Sequence, residues 1–313
     1  MPGRRVLLAL LLGLALAAPL LTTGAYQLQV LNIAVLNAIV VLGLNYVTGW
    51  AGQINFGQAA FYGLGAYATG IAAKAGVPWI VTPFIAAAVV IVASLVLGVP
   101  TLRLRTYYLA MTTIGFGEIV RLVIVHWEPV TGGTSGLRAI PGIGIAGYVV
   151  QGEMAHYYIL LLALGAAALV AWRIRNSSLG RAMLATRDSE IAAELSGVDT
   201  VRIKIVAFIL AAVYAGLAGS LYASSIHYIS PDSFTGTQAV LLMTMLIMGG
   251  MGSIFGSVIG AVGLTILPEA LRFLGQWYLV LYGLAVIAVI ILAPGGLASI
   301  LEAVQRRTQG RPA

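Results

Sequence analysis

The sequence contains no cysteine, which excludes disulfides, thiolate nucleophiles and Cys-ligated metals and leaves the redox compartment unread. Charge is almost as scarce. Asp, Glu, Lys and Arg make up 9% of the chain, against roughly a quarter in soluble globular proteins, so water is the wrong solvent for this surface. No Gly-Lys pair occurs anywhere, and with it goes the phosphate-cradling GxxxxGK[ST] loop. If work driven by ATP is done here, another polypeptide must bind the nucleotide, and this chain itself is expected to carry no cofactor. His126, His156 and His227 are scattered and form no HExxH pattern, which weakens a membrane-embedded enzyme and gives no metal site. The centres of the apolar runs are nearly free of acids, which disfavours a proton-coupled carrier but leaves sodium coupled through carbonyls open as a self-powered alternative.

What the chain has in quantity is hydrophobic sequence: 60% of its 313 residues are apolar. Runs long enough for a membrane span occur near residues 6–22, 28–48, 57–73, 79–98, 105–124, 157–172, 205–224, 238–251, 254–271 and 276–293. Nothing alternates like a barrel strand, and unpaired backbone is too costly in lipid, so the expected fold is an all-α integral membrane bundle of about ten transmembrane spans. The N-terminus, with Arg4 and Arg5 before an apolar stretch, reads as a first span; Ala15-Leu16-Ala17 would be its cleavage site were it a secretory signal.

The net charge of +7 is distributed between apolar runs, as topology signals are, and not gathered into a basic domain for nucleic acid. With the N-terminus inside, ten spans put 13 of the 17 basic residues on the cytoplasmic side. The chain is therefore expected to be one permease domain over residues 1–313, with a cytoplasmic loop at 173–204 and a cytoplasmic tail at 294–313. An outer loop at 126–156 is rich in Gly and Pro turns and suits an external partner.

GQINFG at residues 52–57 is echoed by GSIFG at 252–256. If the two copies enter from opposite sides, they are the trace of a 5+5 inverted repeat. In the first copy Gly49, Gly52 and Gly57 loosen the helix, while Gln53, Asn55 and Gln58 bring amides into an apolar region. Broken helices at membrane depth are tolerated where they line a cavity, so these three amides are candidate translocation-pathway residues; a plain re-entrant corner is the alternative. Glu118 with Arg121, and Glu269 with Arg272, stand at i, i+3 and are expected to neutralise each other as structural ion pairs.

In the cytoplasmic loop, DSEIAAELSG has the marks of a short amphipathic helix. Asp188 or Ser189 can cap its start, Glu190 suits the positive end of its dipole, and Gly197 suits a left-handed stop. Ile191, Leu195 and Val198 fall at i, i+4 and i+7 as an apolar stripe. So short a helix is marginal alone in water, and its stripe needs a surface. A resting place on membrane lipid competes with a protein groove, and the acids Asp188, Glu190, Glu194 and Asp199 favour the groove.

EIAAELSG, preceded by GRAMLATRDS, resembles the coupling motif of ABC importer permeases. LNYVTGWAGQINFGQAAFYGLGAY, RLRTYYLAMTTIGFGEIVRL, TGGTSGL and KIVAFILAAVYAGLAGSLYA together are similar to the LivM branch of the branched-chain amino acid permeases. That resemblance implies a membrane core shared with a LivH-like sister permease, two cytoplasmic ATPase subunits that bind ATP-Mg, and an external substrate-binding protein. It also implies a small-molecule substrate, with Leu, Ile or Val ahead of other neutral amino acids, urea, amides or sugars. Carried over by position, Asp188, Ser189, Glu190, Ile191, Ala192, Ala193, Glu194, Leu195 and Gly197 would form the ATPase-coupling helix, flanked by Gly180, Arg181 and Arg187. No Ile-x-Leu-Pro follows the glycine, which departs from the wider importer pattern.

Overall fold

The computed structural model describes residues 13, 15–19, 24–101, 106–145, 148–150, 152–272, 277–292, 295–297 and 299. Within them the chain is an all-α membrane protein. Its helices are α1 (Ala25–Leu44, continued by a π-helical turn Asn45–Trp50), α2 (Gln58–Lys74), α3 (Thr82–Thr101), α4 (Thr106–His126) and α5 (Glu153–Arg175). There follow α6 (Ser178–Asp188), α7 (Glu190–Leu195), α8 (Thr200–Ile226), α9 (Gly236–Gly249), α10 (Ile254–Ala270) and α11 (Tyr278–Leu292). Five of these, α1 with its π turn, α3, α4, α5 and α8, are long and apolar enough to cross a membrane, and α9 and α10 are shorter apolar helices. Each expected run from residue 28 onward falls on one helix. The expected first span and the tail lie largely outside the described residues.

Burial sorts the helices. Of the most apolar stretch of α1, 83% is buried inside the protein, against 17% for α4. From Ala34 to Trp50 every residue of α1 and its π turn is buried, as a helix that is apolar on all sides must be when it runs through the middle of a bundle. Glycine sets the closest crossing. A Cβ on Gly65 of α2 would lie 2.2 Å from the carbonyl oxygen of Gly216 in α8, and one on Gly219 would lie 2.2 Å from the carbonyl oxygen of Tyr62. In lipid there is little hydrophobic drive between helices, so backbone-to-backbone contact of this kind supplies much of the packing.

The basic residues from Arg173 to Lys204 gather at the end of the bundle where α1 finishes; Arg175 stands over the Trp50 ring at 6.0 Å. At the opposite end the 126–156 segment is more ordered than turns alone. It holds a helical turn Glu128–Thr131, a 3-10 turn Gly133–Ser135 and strands β1 (Leu137–Arg138), β2 (Gly144–Ile145) and β3 (Tyr148–Val149). β1 pairs antiparallel with β4 (Tyr228–Ile229), Leu137 opposite Ile229, and β2 pairs with β3. Helix α5 begins at Glu153, inside the expected loop.

Of the two caps that the sequence offers for the short helix ending at Gly197, Ser189 is the one used: its extended backbone (φ −161°, ψ 111°) both ends α6 and starts α7. Asp188 therefore belongs to α6, and Val198 lies beyond the helix that its stripe assumed. The GQINFG and GSIFG copies also do not lie at opposite ends of the bundle. The Gly252 N–H donates to Asn45 Oδ1 (2.8 Å) and Trp50 Nε1–H donates to the Gly252 carbonyl (2.9 Å). The two segments therefore begin side by side.

Candidate functional site

Helix α7 is capped at both ends by its own sequence. The Ser189 hydroxyl accepts from the Ala192 N–H at 3.3 Å, and Gly197 takes a positive φ of 83°, which lets the Val198 N–H return to the Ala193 carbonyl at 3.0 Å. Glycine reaches that conformation without the Cβ penalty other residues incur. The helix buries Ala193, and its two acids, though exposed, are held by the start of α8. Glu190 pairs with the buried ammonium of Lys204 and also accepts from Thr200, and Glu194 accepts from Thr200 Oγ1 at 2.7 Å. Its two large apolar side chains stand outward: Ile191 is 73% exposed and Leu195 85%.

Helix α6 is packed where α7 is not. Ser177 caps it by accepting from Gly180, Met183 and Thr186 are buried, and a Cβ on Gly180 would come within 2.4 Å of the Ile174 carbonyl oxygen. Arg181 donates back to the Asn176 carbonyl at 3.3 Å. At the far end of α6, Arg187 Nη1 donates to the carbonyl of Gly49, across 138 positions of sequence. Its side chain also fills the space above two positive-φ glycines: a Cβ on Gly52 would lie 3.0 Å from Arg187 Cγ, and one on Gly252 3.2 Å from Arg187 Nη1. A guanidinium on a terminal carbonyl of α1 meets the negative end of that helix's dipole.

The joint after α1 interrupts the helical run inside the bundle. Residues 52–56 belong to no helix or strand, and the Gln58 side-chain amide donates to the carbonyls of Val40 (3.2 Å) and Ala211 (2.9 Å). Both acceptors are about ten residues from the basic end of their helices, which at 1.5 Å per residue places Gln58 about 15 Å along the bundle from that end. Asn55 Oδ1 accepts from the Gly57 N–H at 2.8 Å, and Thr113 Oγ1 of α4 accepts from the Phe56 N–H at 3.1 Å. The amides of Asn55 and Gln58 thus hold the break in shape. Gln53 Oε1, Asn45 Nδ2 and Thr48 Oγ1 are buried without a partner among the described residues.

Beside the break lies a cavity of about 190 Å³ whose wall includes Phe56, Ala60, Ile114, Gly117, Phe234 and Gly236. Phe234 packs on Gly63 and Tyr62, so α9 also begins within the bundle and runs only its 14 residues to the basic end. Two interrupted helices therefore border one apolar cavity. The sequence singled out the polar side chains of this joint; the apolar wall formed by Phe56, Ala59 and Ala60 beside them carries no distinguishing signal.

Two further pairs of charges are joined locally. Arg121 meets Glu118 at 2.6 Å and Arg272 meets Glu269 at 3.3 Å; Tyr26 donates to Glu269 at 2.9 Å. Two of the three histidines come together, with the His156 and His227 rings 6.1 Å apart. No group of three His, Cys, Asp or Glu residues suited to a metal occurs among the described residues.

A family model described as "branched-chain amino acid transport system / permease component" matches residues 26–293. The high-affinity branched-chain amino acid transport system permease protein LivM of Escherichia coli (strain K12) is 32% identical over 94% of this chain and 75% of its own length, and the LivM protein of Salmonella typhimurium (strain LT2) matches equally. The autoinducer 2 import system permease protein LsrC of Escherichia coli O9:H4 is 36% identical over 45% of this chain and 43% of its own length. No solved structure matches the chain.

Proposed function

The chain belongs to the family of branched-chain amino acid transport system permease components, and from that premise we propose that it is a transmembrane subunit of an ATP-driven ABC importer for branched-chain or other neutral amino acids. It forms half of the translocation pathway, crosses the membrane ten times and keeps both termini in the cytoplasm. The basic end of the bundle is then cytoplasmic, and the paired strands at 137–149 and 228–229 face the external binding protein. A sister permease completes the membrane core.

One observation carries the coupling role: α7 ties its carboxylates to Thr200 and Lys204 and leaves its two large apolar side chains, Ile191 and Leu195, outward and unpartnered among the described residues. An exposed apolar pair on a six-residue helix held by caps is a knob for a protein groove, and with the acids already used it needs no cationic partner. We assign that groove to a cytoplasmic ATPase subunit, which binds ATP-Mg. The cavity between the breaks before α2 and α9 is the pathway segment of this subunit; Gln53, Asn55 and Gln58 shape the adjoining break and do not line the cavity itself. Its nearly all-apolar wall suits an aliphatic side chain.

The test is reconstitution of the chain with its sister permease, ATPases and binding protein in liposomes. ATP-dependent uptake of labelled leucine, isoleucine or valine is expected, and the chain alone hydrolyses no ATP. Uptake that persists without the ATPase subunits would point instead to a self-powered carrier. The partial match to an autoinducer 2 permease favours one alternative within the same mechanism, import of another small polar solute; competition of leucine uptake by such solutes separates the two.

A further inference from the structure

The structure leaves Arg187 as the side chain that joins the docking loop to the interrupted helices, and we propose that it is the positioning residue through which movement of α7 is transmitted to the inner end of the pathway. This inference rests on the importer reading above. Three parts of the chain, distant in sequence, meet at one point. The π turn at Asn45–Trp50 ends α1. The tight turn at Gly250–Ser253 joins α9 to α10. Arg187 arrives from α6, two residues before the extended Ser189 that separates α6 from α7.

The contacts form a closed set. Asn45 Oδ1 and Trp50 Nε1 hold Gly252 by its N–H and its C=O. Arg187 holds the Gly49 carbonyl of the same π turn and lies close over Gly252. Residues 45–50 are wound as a π helix, so the last carbonyls of α1 lack regular partners, and π turns and helix ends are where a helix is most readily rewound. Removal of the guanidinium frees the carbonyl end of α1 from the loop. The α7 knob does not depend on it, because α7 is held by Ser189, Gly197, Lys204 and Thr200.

Docking and transmission are thereby assigned to different residues: Ile191 and Leu195 bind the ATPase, and Arg187 passes the displacement on. Both α2 and α9 border the cavity, and the turn that Arg187 touches is the lower end of α9. A shift of that turn reaches the cavity through a single helix of 14 residues. Rigid secondary elements with two arrangements are the physical carriers of such coupling.

The experiment uses the full importer in proteoliposomes, with ATP hydrolysis and labelled leucine uptake measured on the same preparation. Arg187→Ala is expected to keep ATPase association and binding-protein-stimulated hydrolysis within about twofold of wild type, while uptake per ATP falls about tenfold, a ratio within the ordinary range of coupling free energies. Arg187→Lys, which keeps one cation but not the planar fork, should recover part of the ratio. Trp50→Phe, which removes only the indole N–H from the same clamp, should lower the ratio in the same direction and serves if Arg187→Ala fails to assemble. Unchanged uptake per ATP in both Arg187→Ala and Trp50→Phe, or loss of ATPase association without any change in that ratio, overturns the proposal. A wild-type complex with no ATP-dependent uptake of any neutral amino acid counts against the importer reading itself.

Discussion

Trp50 and Gly252, 202 positions apart, are joined by a hydrogen bond from the indole nitrogen to the glycine carbonyl at 2.9 Å. The same residue gives its N–H to Asn45, so both backbone groups of one partly buried residue in the α9–α10 turn are satisfied by the end of α1. Asn45→Ala should therefore leave the Gly252 N–H unpaired and cost about 1–3 kcal/mol. Hydrogen exchange read peptide by peptide checks it: amides 250–253 speed up in the variant, and those of α5 do not.

The outward knob yields a sharper expectation. Ile191→Ser with Leu195→Ser removes two large apolar side chains that are exposed in the free chain, so the fold should be untouched. Each is worth about 1.5–3 kcal/mol when buried in a partner, and partial burial of both predicts at least about a hundredfold weaker association with the ATPase subunit. Titration of the solubilised membrane core against purified ATPase measures it. Wild-type affinity in the double variant would remove α7 from the docking surface.

The Lys204 ammonium is buried while its partner Glu190 is half exposed. Glu190→Ala strands that cation at the base of α7. Solvent on the carboxylate side discounts the loss to about 1 kcal/mol, or about fivefold in local opening. Exchange of amides 190–198 should rise by that factor. Thr200→Val, which removes the donor to Glu194, should act in the same direction.

Local physics was legible in the sequence and long-range geometry was not. Ser189 and Gly197 could be placed because caps and left-handed stops act within three or four residues, and the i, i+3 ion pairs Glu118–Arg121 and Glu269–Arg272 for the same reason. Span positions followed from hydropathy alone. Glu190 and Glu194 were expected to face a partner because nothing in a linear reading shows that the chain turns at Gly197 and brings Thr200 and Lys204 beneath them. Arg187 was a flank residue, since its acceptor is 138 positions away. The paired two-residue strands at 137–138 and 228–229 are too short to show alternation. The depth of the Gln53–Gly57 break was hidden because a loop and an unwound membrane segment share the same glycines and amides; only the Gln58 contacts to Val40 and Ala211 separate them.

The glycine crossing of α2 and α8 bears on stability and not on transport chemistry. Gly65→Val places a branched side chain where a Cβ alone would stand 2.2 Å from the Gly216 carbonyl oxygen. Backbone cannot yield as a flexible side chain does, so the helices must separate and lose contacts along their length, at a cost of about 1–3 kcal/mol or more. A lower melting temperature in detergent is expected. Gly165→Val on α5, where a Cβ meets nothing within 4 Å, is the control that should melt with wild type.

Gly117 offers the most direct approach to the cavity. It lines the space between α2, α4 and α9, and an added Cβ there meets no atom within 4 Å, so a larger side chain enters without overlap. Helix propensity works in favour of the change, since glycine is the poorer former by about 1 kcal/mol. Gly117→Leu should therefore fold and assemble as wild type does, and Gly117→Ala should behave nearly normally. A leucine side chain is about the size of the aliphatic group proposed to occupy the cavity, which leaves little of the 190 Å³ free. Uptake is expected to fall about tenfold in Gly117→Leu, by the loss of a site that contributes about 1.4 kcal/mol to passage, while ATPase association stays constant. If uptake in the leucine variant equals wild type, the cavity lies off the path, and the substrate passes by another face of α4.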